Sequence, residues 1–329
     1  MRDGVAGTIG NTPLIALPKL SAAIGRTILG KAEFLNPGGS VKDRAARGII
    51  DDFERRGLLA PGGTIVEGTA GNTGIGLTVV ANGRGYRTVI VVPDDQAPEK
   101  YALLRTLGAD LRIVAAVPFA DPANYYHQAR ALAESMPGAV WANQFENLAN
   151  RDAHEATTGP EIYDQAGGAL DAFVTSAGTG GTIGGVSRAL KARDASIRTV
   201  LADPYGSALY SYVKHGTLDV EGDSNAEGIG IKRIVANFSG APVDDALRVD
   251  DRAMVEMAHW LTHHEGLFVG GSAALNVVGA ARFARMLPEG ARVATILCDG
   301  GDRYRSRLYD AAWLAEKELT PSATDLSFL

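Results

Sequence analysis

A single lysine, Lys42, stands in the run Asn36-Pro37-Gly38-Gly39-Ser40-Val41-Lys42-Asp43-Arg44, where the pattern predicts the first turn of a helix. Pro37 and two glycines end an extended stretch, Ser40 can cap the new helix, and Asp43 completes a Ser-x-x-Asp capping pattern. Lys42 then falls near the second helical position, where the partial positive charge of the helix end disfavours an ammonium. It favours a neutral amine or an imine, the forms that Schiff-base chemistry requires. The same segment also reads as an ordinary first-turn lysine with a solvated head and a stem lying on apolar surface. Other motifs have to decide between the two.

Two glycine loops bear on that choice. The strand expected at 171 to 177 runs into Gly178-Thr179-Gly180-Gly181-Thr182-Ile183-Gly184-Gly185 and then into a helical pattern. Amides without Cβ obstruction converge there on a helix N-terminus, which suits a phosphate, and Thr179 and Thr182 add hydroxyl donors. Gly178, Gly180 and Gly184 also fit a dinucleotide fingerprint, and Asp203 ends the next strand where a ribose-binding acid belongs, so an NAD-dependent oxidoreductase is a rival reading. A second loop, Glu67-Gly68-Thr69-Ala70-Gly71-Asn72-Thr73-Gly74, follows the strand at 64 to 68 and opens another helix. One helix end for a cofactor phosphate and one for a substrate carboxylate is what an amino-acid enzyme with a phosphorylated aldehyde needs. Taken alone, Asn72 and Thr73 equally read as helix caps.

The elements that must hold these residues follow from hydrophobic periodicity. Strands are expected at 64 to 68, 88 to 93, 111 to 117 and 139 to 145, with helices at 73 to 83, 97 to 107 and 123 to 136. Helices at 151 to 166, 181 to 193, 207 to 214, 250 to 265 and 272 to 287 alternate with strands at 171 to 177, 198 to 203 and 292 to 298. This βαβ alternation predicts an α/β fold of two open twisted-sheet lobes, with ligands in the crevice between them at the carboxyl ends of strands. The smaller lobe is expected at 36–148, carrying the carboxylate loop. Residues 1–35 with 149–329 form the larger lobe, and 216 to 249 reads only as a Gly/Asp-rich loop.

The chain has 329 residues, 46% of them hydrophobic and 21% charged, with a net charge of -6. That composition gives no electrostatic footprint for nucleic acid or an anionic membrane, and the longest apolar runs are only strand-length. The first residues lack the apolar core of a secretory signal, so a cytoplasmic location is expected. The one cysteine, Cys298, excludes an intrachain disulfide and reads as a small core hydrophobe. His259 and His263 lie four apart on a predicted helix, but Trp260 stands where a metalloprotease motif needs glutamate, and no metal is expected. Met254, Met257, Trp260 and Leu261 read as a core stripe, and Tyr125, Tyr126 and Tyr304 as packing groups.

In this order, Lys42 within 36 to 44, the Thr-Ala-Gly-Asn-Thr-Gly loop and the Gly-Thr-Gly-Gly-Thr loop resemble the β-family (fold type II) of pyridoxal-phosphate enzymes. Ile9 to Leu14, His154 with Thr157 to Ile162, Glu227 to Gly230, Glu265-Gly266 with Gly270 to Ser272, and Gly301 to Tyr304 resemble further elements of the family. Within it the chain is most similar to cysteine synthases and the core of cystathionine β-synthases. The resemblance implies pyridoxal 5'-phosphate on Lys42, which forms the internal aldimine and later moves the α-proton. Asn72 faces the ring's phenolic oxygen, Gly178, Thr179, Gly180, Gly181 and Thr182 hold the phosphate, and Ser272 meets the pyridine nitrogen. Thr69, Gly71, Asn72, Thr73, Gln144 and Gly228 receive the substrate.

A hydroxyl, unlike an aspartate, cannot hold a full pyridinium charge, so Ser272 weakens the electron sink and favours expelling a β-substituent to give an aminoacrylate. Ser272 also reads as a cap of the helix at 272 to 287. The implied reaction is β-replacement or β-elimination on a small amino acid. Cysteine synthase, from O-acetylserine and sulfide, leads; cysteine desulfhydrase and cystathionine β-synthase-like activity are the alternatives. The partners implied are a small amino acid, a sulfur nucleophile or leaving group, and a second copy in a homodimer. The chain departs from the cysteine synthase pattern at Ala70, where serine is usual, and Ala70-bearing loops also resemble cysteine desulfhydrases. Gly271, Ala273-Ala274 and Cys298-Asp299 are further departures.

Overall fold

Two sheets hold the strands. The computed structural model describes residues 4–69 and 71–329, so Ala70 lies outside the described residues. The first half runs β1 (Leu14–Ala16), α1 (Pro18–Ile24), β2 (Thr27–Ala32), α2 (Lys42–Arg55), β3 (Thr64–Gly68), α3 (Asn72–Arg84), β4 (Arg87–Pro93), α4 (Pro98–Thr106), β5 (Asp110–Val114), α5 (Tyr125–Ser135) and β6 (Ala139–Trp141). The second half runs α6 (Ala149–Ala153), α7 (Gly159–Gln165), β7 (Ala172–Thr175), α8 (Gly181–Arg193), β8 (Arg198–Pro204), α9 (Leu209–His215), β9 (Asp245–Val249), α10 (Asp251–Trp260), α11 (Gly271–Ala284), β10 (Arg292–Leu297) and α12 (Ala311–Glu316).

Strands β5-β4-β3-β6 make a four-stranded, all-parallel sheet. The other sheet has the order β1-β2-β10-β7-β8-β9 and is parallel except for the β1–β2 pair. Continuous Val/Ile runs such as Val89 to Val92 are buried on both faces, as parallel strands between helices must be. On α2 the buried Ala46, Ile49, Ile50 and Phe53 recur at helical spacing and pack with Ile65, Leu77 and Val80. Helix α11 is buried on nearly every side. Its small residues allow close approach: a Cβ on Gly279 would stand 2.5 Å from Ala202 Cβ on β8.

Several expectations are corrected by local chemistry. The Ser-x-x-Asp cap does not form: α2 opens at Lys42 itself with Val41 at its N-cap, and Asp43 turns back to accept the Gly38 N–H. The strand expected to reach 145 stops at Trp141, because Asn143 adopts φ +50° and its carbonyl takes the Asn147 N–H at 2.8 Å. The helix expected over 151 to 166 is broken by a π-helical turn, His154–Thr158, and another, Leu261–Glu265, continues α10. The loop at 216 to 249 ends in β9, the edge strand beside β8. Met254, Met257 and Leu261 are core residues with Trp260 packed against them, as the stripe suggested.

Candidate active site

The carboxyl ends of β3, β7 and β10 open onto a cavity of about 230 Å³ between the two sheets. Its lining brings together ten of the residues singled out from sequence: Lys42, Thr69, Gly71, Asn72, Thr73, Gln144, Gly178, Thr179, Gly228 and Ser272. Gly180, Gly181 and Thr182 stand one layer behind, at the N-terminus of α8.

Lys42 is held there by a rigid base. The loop before it joins the end of β10 through the Ser40–Asp299 bridge, and Val41 donates to the Cys298 carbonyl at 2.8 Å. Two residues on, the fully buried Arg44 makes bonds of 2.7 Å through Nε and Nη2 to Glu33, and of 2.8 and 2.7 Å to Glu161. Lys31 completes that network at 2.7 Å from Glu161, so two buried cations meet two acids. Lys42 itself makes no ion pair among the described residues. Enclosure by protein pushes its amine below the ordinary lysine range, and the nearby Cys298 and Asp299 oppose the shift. Burial thus shifts the amine in the same direction that the helix-end charge at the start of α2 was expected to shift it.

The loop before α8 is a close-packed cradle. Gly180, at the N-cap, adopts φ +80°, and a Cβ on Gly178 would lie 2.1 Å from the Gly228 carbonyl. The N–H groups of Gly178 through Thr182 find no acceptor among the described residues, which leaves five donors at a helix N-terminus. His154 sits behind them, buried, with its two ring nitrogens 2.8 Å from Thr158 Oγ1 and 3.4 Å from Thr182 Oγ1. Burial, then Arg44 and Lys42, hold its pKa well below the usual histidine value, so the ring is neutral.

The loop before α3 is positioned by side chains. Thr73 donates to Gln144 Oε1 at 2.5 Å, and Asn72 donates to Asp299 Oδ2 at 2.7 Å while accepting from Arg303 at 2.5 Å. Tyr304 adds a 2.6 Å bond to the same Asp299 oxygen. Asn72 thus has both ends of its amide engaged with groups from the chain beyond β10.

Sequence reasoning missed Lys100 and gave Glu227 and Asp299 no contact of their own, naming them only within a family-like motif and a departure from the family pattern. Cys298 packs against a core cluster, as expected, and also lines the cavity, its thiol pushed up to about 12 by burial with Lys42 and Ser272 opposing. Tyr125 and Tyr304 are packing groups, as expected, and also line it. Ser272 caps nothing: Gly270 is the N-cap of α11, which frees the Ser272 hydroxyl for the cavity. Asp203 is buried away from the lining, accepting the Tyr210 N–H at 2.8 Å, and offers no ribose-binding carboxylate. His259 is spent on the Leu308 carbonyl at 3.0 Å.

Fold and site define a two-sheet α/β protein whose crevice places the Lys42 amine in one cavity with the loops before α3 and α8. Residues 5–299 match the family model described as "Pyridoxal-phosphate dependent enzyme", and the chain belongs to that family. It is 52% identical to "Cysteine synthase 1" of Emericella nidulans over 96% of this chain and 87% of that protein. It is 51% identical to "Cysteine synthase 1" of Neurospora crassa, over 96% and 85%. The solved "O-acetylserine dependent cystathionine beta-synthase from Helicobacter pylori" superposes with a TM-score of 0.85 at 34% identity, covering 93% of this chain and 98% of that one. The expected fold type II architecture and pyridoxal-phosphate cofactor are borne out, and family membership sets the oxidoreductase reading aside.

Proposed function

We propose that the chain is a pyridoxal-phosphate-dependent cysteine synthase, making cysteine and acetate from O-acetylserine and sulfide. The observation that carries this reading is the unpaired, enclosed Lys42 amine facing a cavity between two helix N-termini. The residues fit the cofactor: an enclosed amine whose pKa burial lowers, and a cradle of free amides with no room for a side chain at Gly178.

When bound, the pyridoxal ring supplies an electron sink that lets the α-proton and then the β-substituent leave. Lys42 would hold the aldehyde, and its Nζ would carry the α-proton. The amides of Gly178 to Thr182 hold the phosphate. Ser272 would offer the pyridine nitrogen a hydroxyl instead of a carboxylate, which would keep the sink weak and favour β-chemistry. Thr69, Gly71, Asn72, Thr73, Gln144 and Gly228 receive the amino acid, its carboxylate at the free amides of Asn72 and Thr73. Residues 36–148 act as the smaller lobe and close on substrate to exclude water. Two chains form a homodimer, and the enzyme works in the cytoplasm.

The test is to supply the vitamin aldehyde, reduce with borohydride and map the adduct. Enzyme is then incubated with O-acetylserine plus sulfide and, separately, with cysteine alone. An adduct on Lys42 with cysteine as the main product is expected. A different lysine, or a preparation that stays colourless, overturns the reading. Pyruvate and sulfide from cysteine alone would instead support the desulfhydrase reading that Ala70 motivates.

A further inference from the structure

The four-stranded-sheet half and the six-stranded-sheet half meet across the cavity mouth through a small set of polar contacts centred on Lys100. Lys100, on the first turn of α4, is buried and pairs with Glu227 on the opposite wall, with its ammonium 5.0 Å from the centre of the Tyr304 ring. Glu227 is held from its other oxygen by Arg307 at 2.9 Å, and Arg307 reaches back to the Asp95 carbonyl at 2.5 Å. Beside them, Glu99 accepts from the Ser306 N–H and hydroxyl at 3.0 and 2.8 Å. The stem of Lys100 lies directly on the substrate loop: a Cβ on Gly71 would stand 2.8 Å from Lys100 Cδ. Lys100, Glu227 and Gly71 all line the cavity that Lys42 faces.

We infer that Lys100 and Glu227 form the latch that keeps the crevice shut over the reacting amino acid and so sets the balance between β-replacement and β-elimination. This rests on the cysteine synthase reading above. Lys100 is a positioning residue, touching the loop that takes the carboxylate while its charge bonds the facing wall. Without Glu227 the buried Lys100 charge is uncompensated, and without Lys100 the pair that spans the crevice is gone, so losing either partner favours opening. With the mouth shut, O-acetylserine and hydrogen sulfide give cysteine and acetate. With it open, water is the co-reactant, and O-acetylserine and water give pyruvate, ammonia and acetate.

The experiment compares wild-type holoenzyme with Lys100→Met, Glu227→Gln and Lys100→Arg. It measures pyruvate and cysteine formed from O-acetylserine at fixed sulfide, and backbone hydrogen exchange over residues 304–309. Lys100→Met and Glu227→Gln should each raise the pyruvate-to-cysteine ratio by about tenfold, the change expected when an open state gains about tenfold in population. Both should speed exchange at 304–309, whereas Lys100→Arg, which keeps the pair, stays near wild type in both readouts. An unchanged ratio in an active Glu227→Gln enzyme overturns the latch, as does a ratio that moves only in Lys100→Met, which would make Lys100 a substrate-binding cation alone. If wild type forms neither product, the reaction reading fails, and exchange at 304–309 that is the same in all four proteins then overturns the closure itself.

Discussion

Backbone walls fix the loop before α8, whereas the loop before α3 is fixed by side chains reaching across the crevice. Added Cβ atoms on Gly178 and Gly184 would meet the carbonyls of Gly228 and Asn237 at 2.1 and 2.3 Å. Neither carbonyl can move without displacing a chain segment. On Gly71 the nearest obstacle is the flexible stem of Lys100, and Asn72 and Thr73 are tied by the terminal groups of Asp299, Arg303 and Gln144. Two segments with nearly the same Gly/Thr vocabulary therefore differ in stiffness. The rigid one suits a phosphate that stays through turnover; the adjustable one suits a carboxylate that comes and goes.

The largest effect lies between the two loops. Lys42→Ala should lower turnover by more than about a thousandfold, the scale of losing a covalent catalytic amine. It should still retain the phosphorylated vitamin after gel filtration, because the α8 cradle is untouched. Near-normal turnover would refute the assigned role, and loss of the vitamin would show that the cradle needs the lysine to work.

A smaller contrast separates the loops themselves. Gly178→Ala overpacks a backbone contact at a cost of about 1–3 kcal/mol, which should appear as weaker vitamin retention, roughly ten- to a hundredfold. Gln144→Ala removes the acceptor of the Thr73 hydroxyl, and the loss of about one hydrogen bond should raise KM for the amino acid about tenfold while vitamin content holds. Titrating the vitamin into each variant and measuring KM under saturation tests this. If both variants changed the same constant, the distinction between fixed and adjustable loops would collapse.

What the sequence revealed and what it hid divide along the same physical line. Helix α8 falls at the expected 181 to 193 and β3 at 64 to 68, because hydrophobic period and glycine punctuation are local signals. The strands β1, β2 and β9 went unread, the first only three residues long and the last an edge strand inside an Asp-rich stretch. The role of Lys100 was invisible because its partner Glu227 lies 127 residues away and meets it only when two sheets face each other. Asp299 and Cys298 were flagged as departures from a family pattern. Composition offers no way to know that one would organise Asn72 and Tyr304 and the other would face the cavity.

The adjustable loop also carries a titration. Glu67, on β3 two residues before Thr69, is fully buried, and neither carboxylate oxygen makes a well-formed hydrogen bond. Burial pushes its pKa up to about 8, with the backbone amides of Asn143 and Gln144 and the Gln144 side chain pulling the other way. From the unfolded carboxyl value near 4.5 up to about 8, the folded chain keeps a proton that the unfolded chain has released. Folding therefore takes up a proton, and stability from this group, complete below pH 4.5, is lost as pH rises through 8. Asp43, raised to about 7, acts with the same sign; Lys42 acts with the opposite sign, and both are present in any Glu67 variant. Glu67→Gln, neutral at every pH, should thus gain melting temperature relative to wild type as pH goes from 5 to 8, by a few degrees on the scale of about 2–4 °C per kcal/mol. Thermal melts of both holoenzymes across that range measure the gap. A gap that stays constant with pH would mean that Glu67 is already ionised and partnered, and that the floor of the substrate loop is as rigidly satisfied as the phosphate cradle.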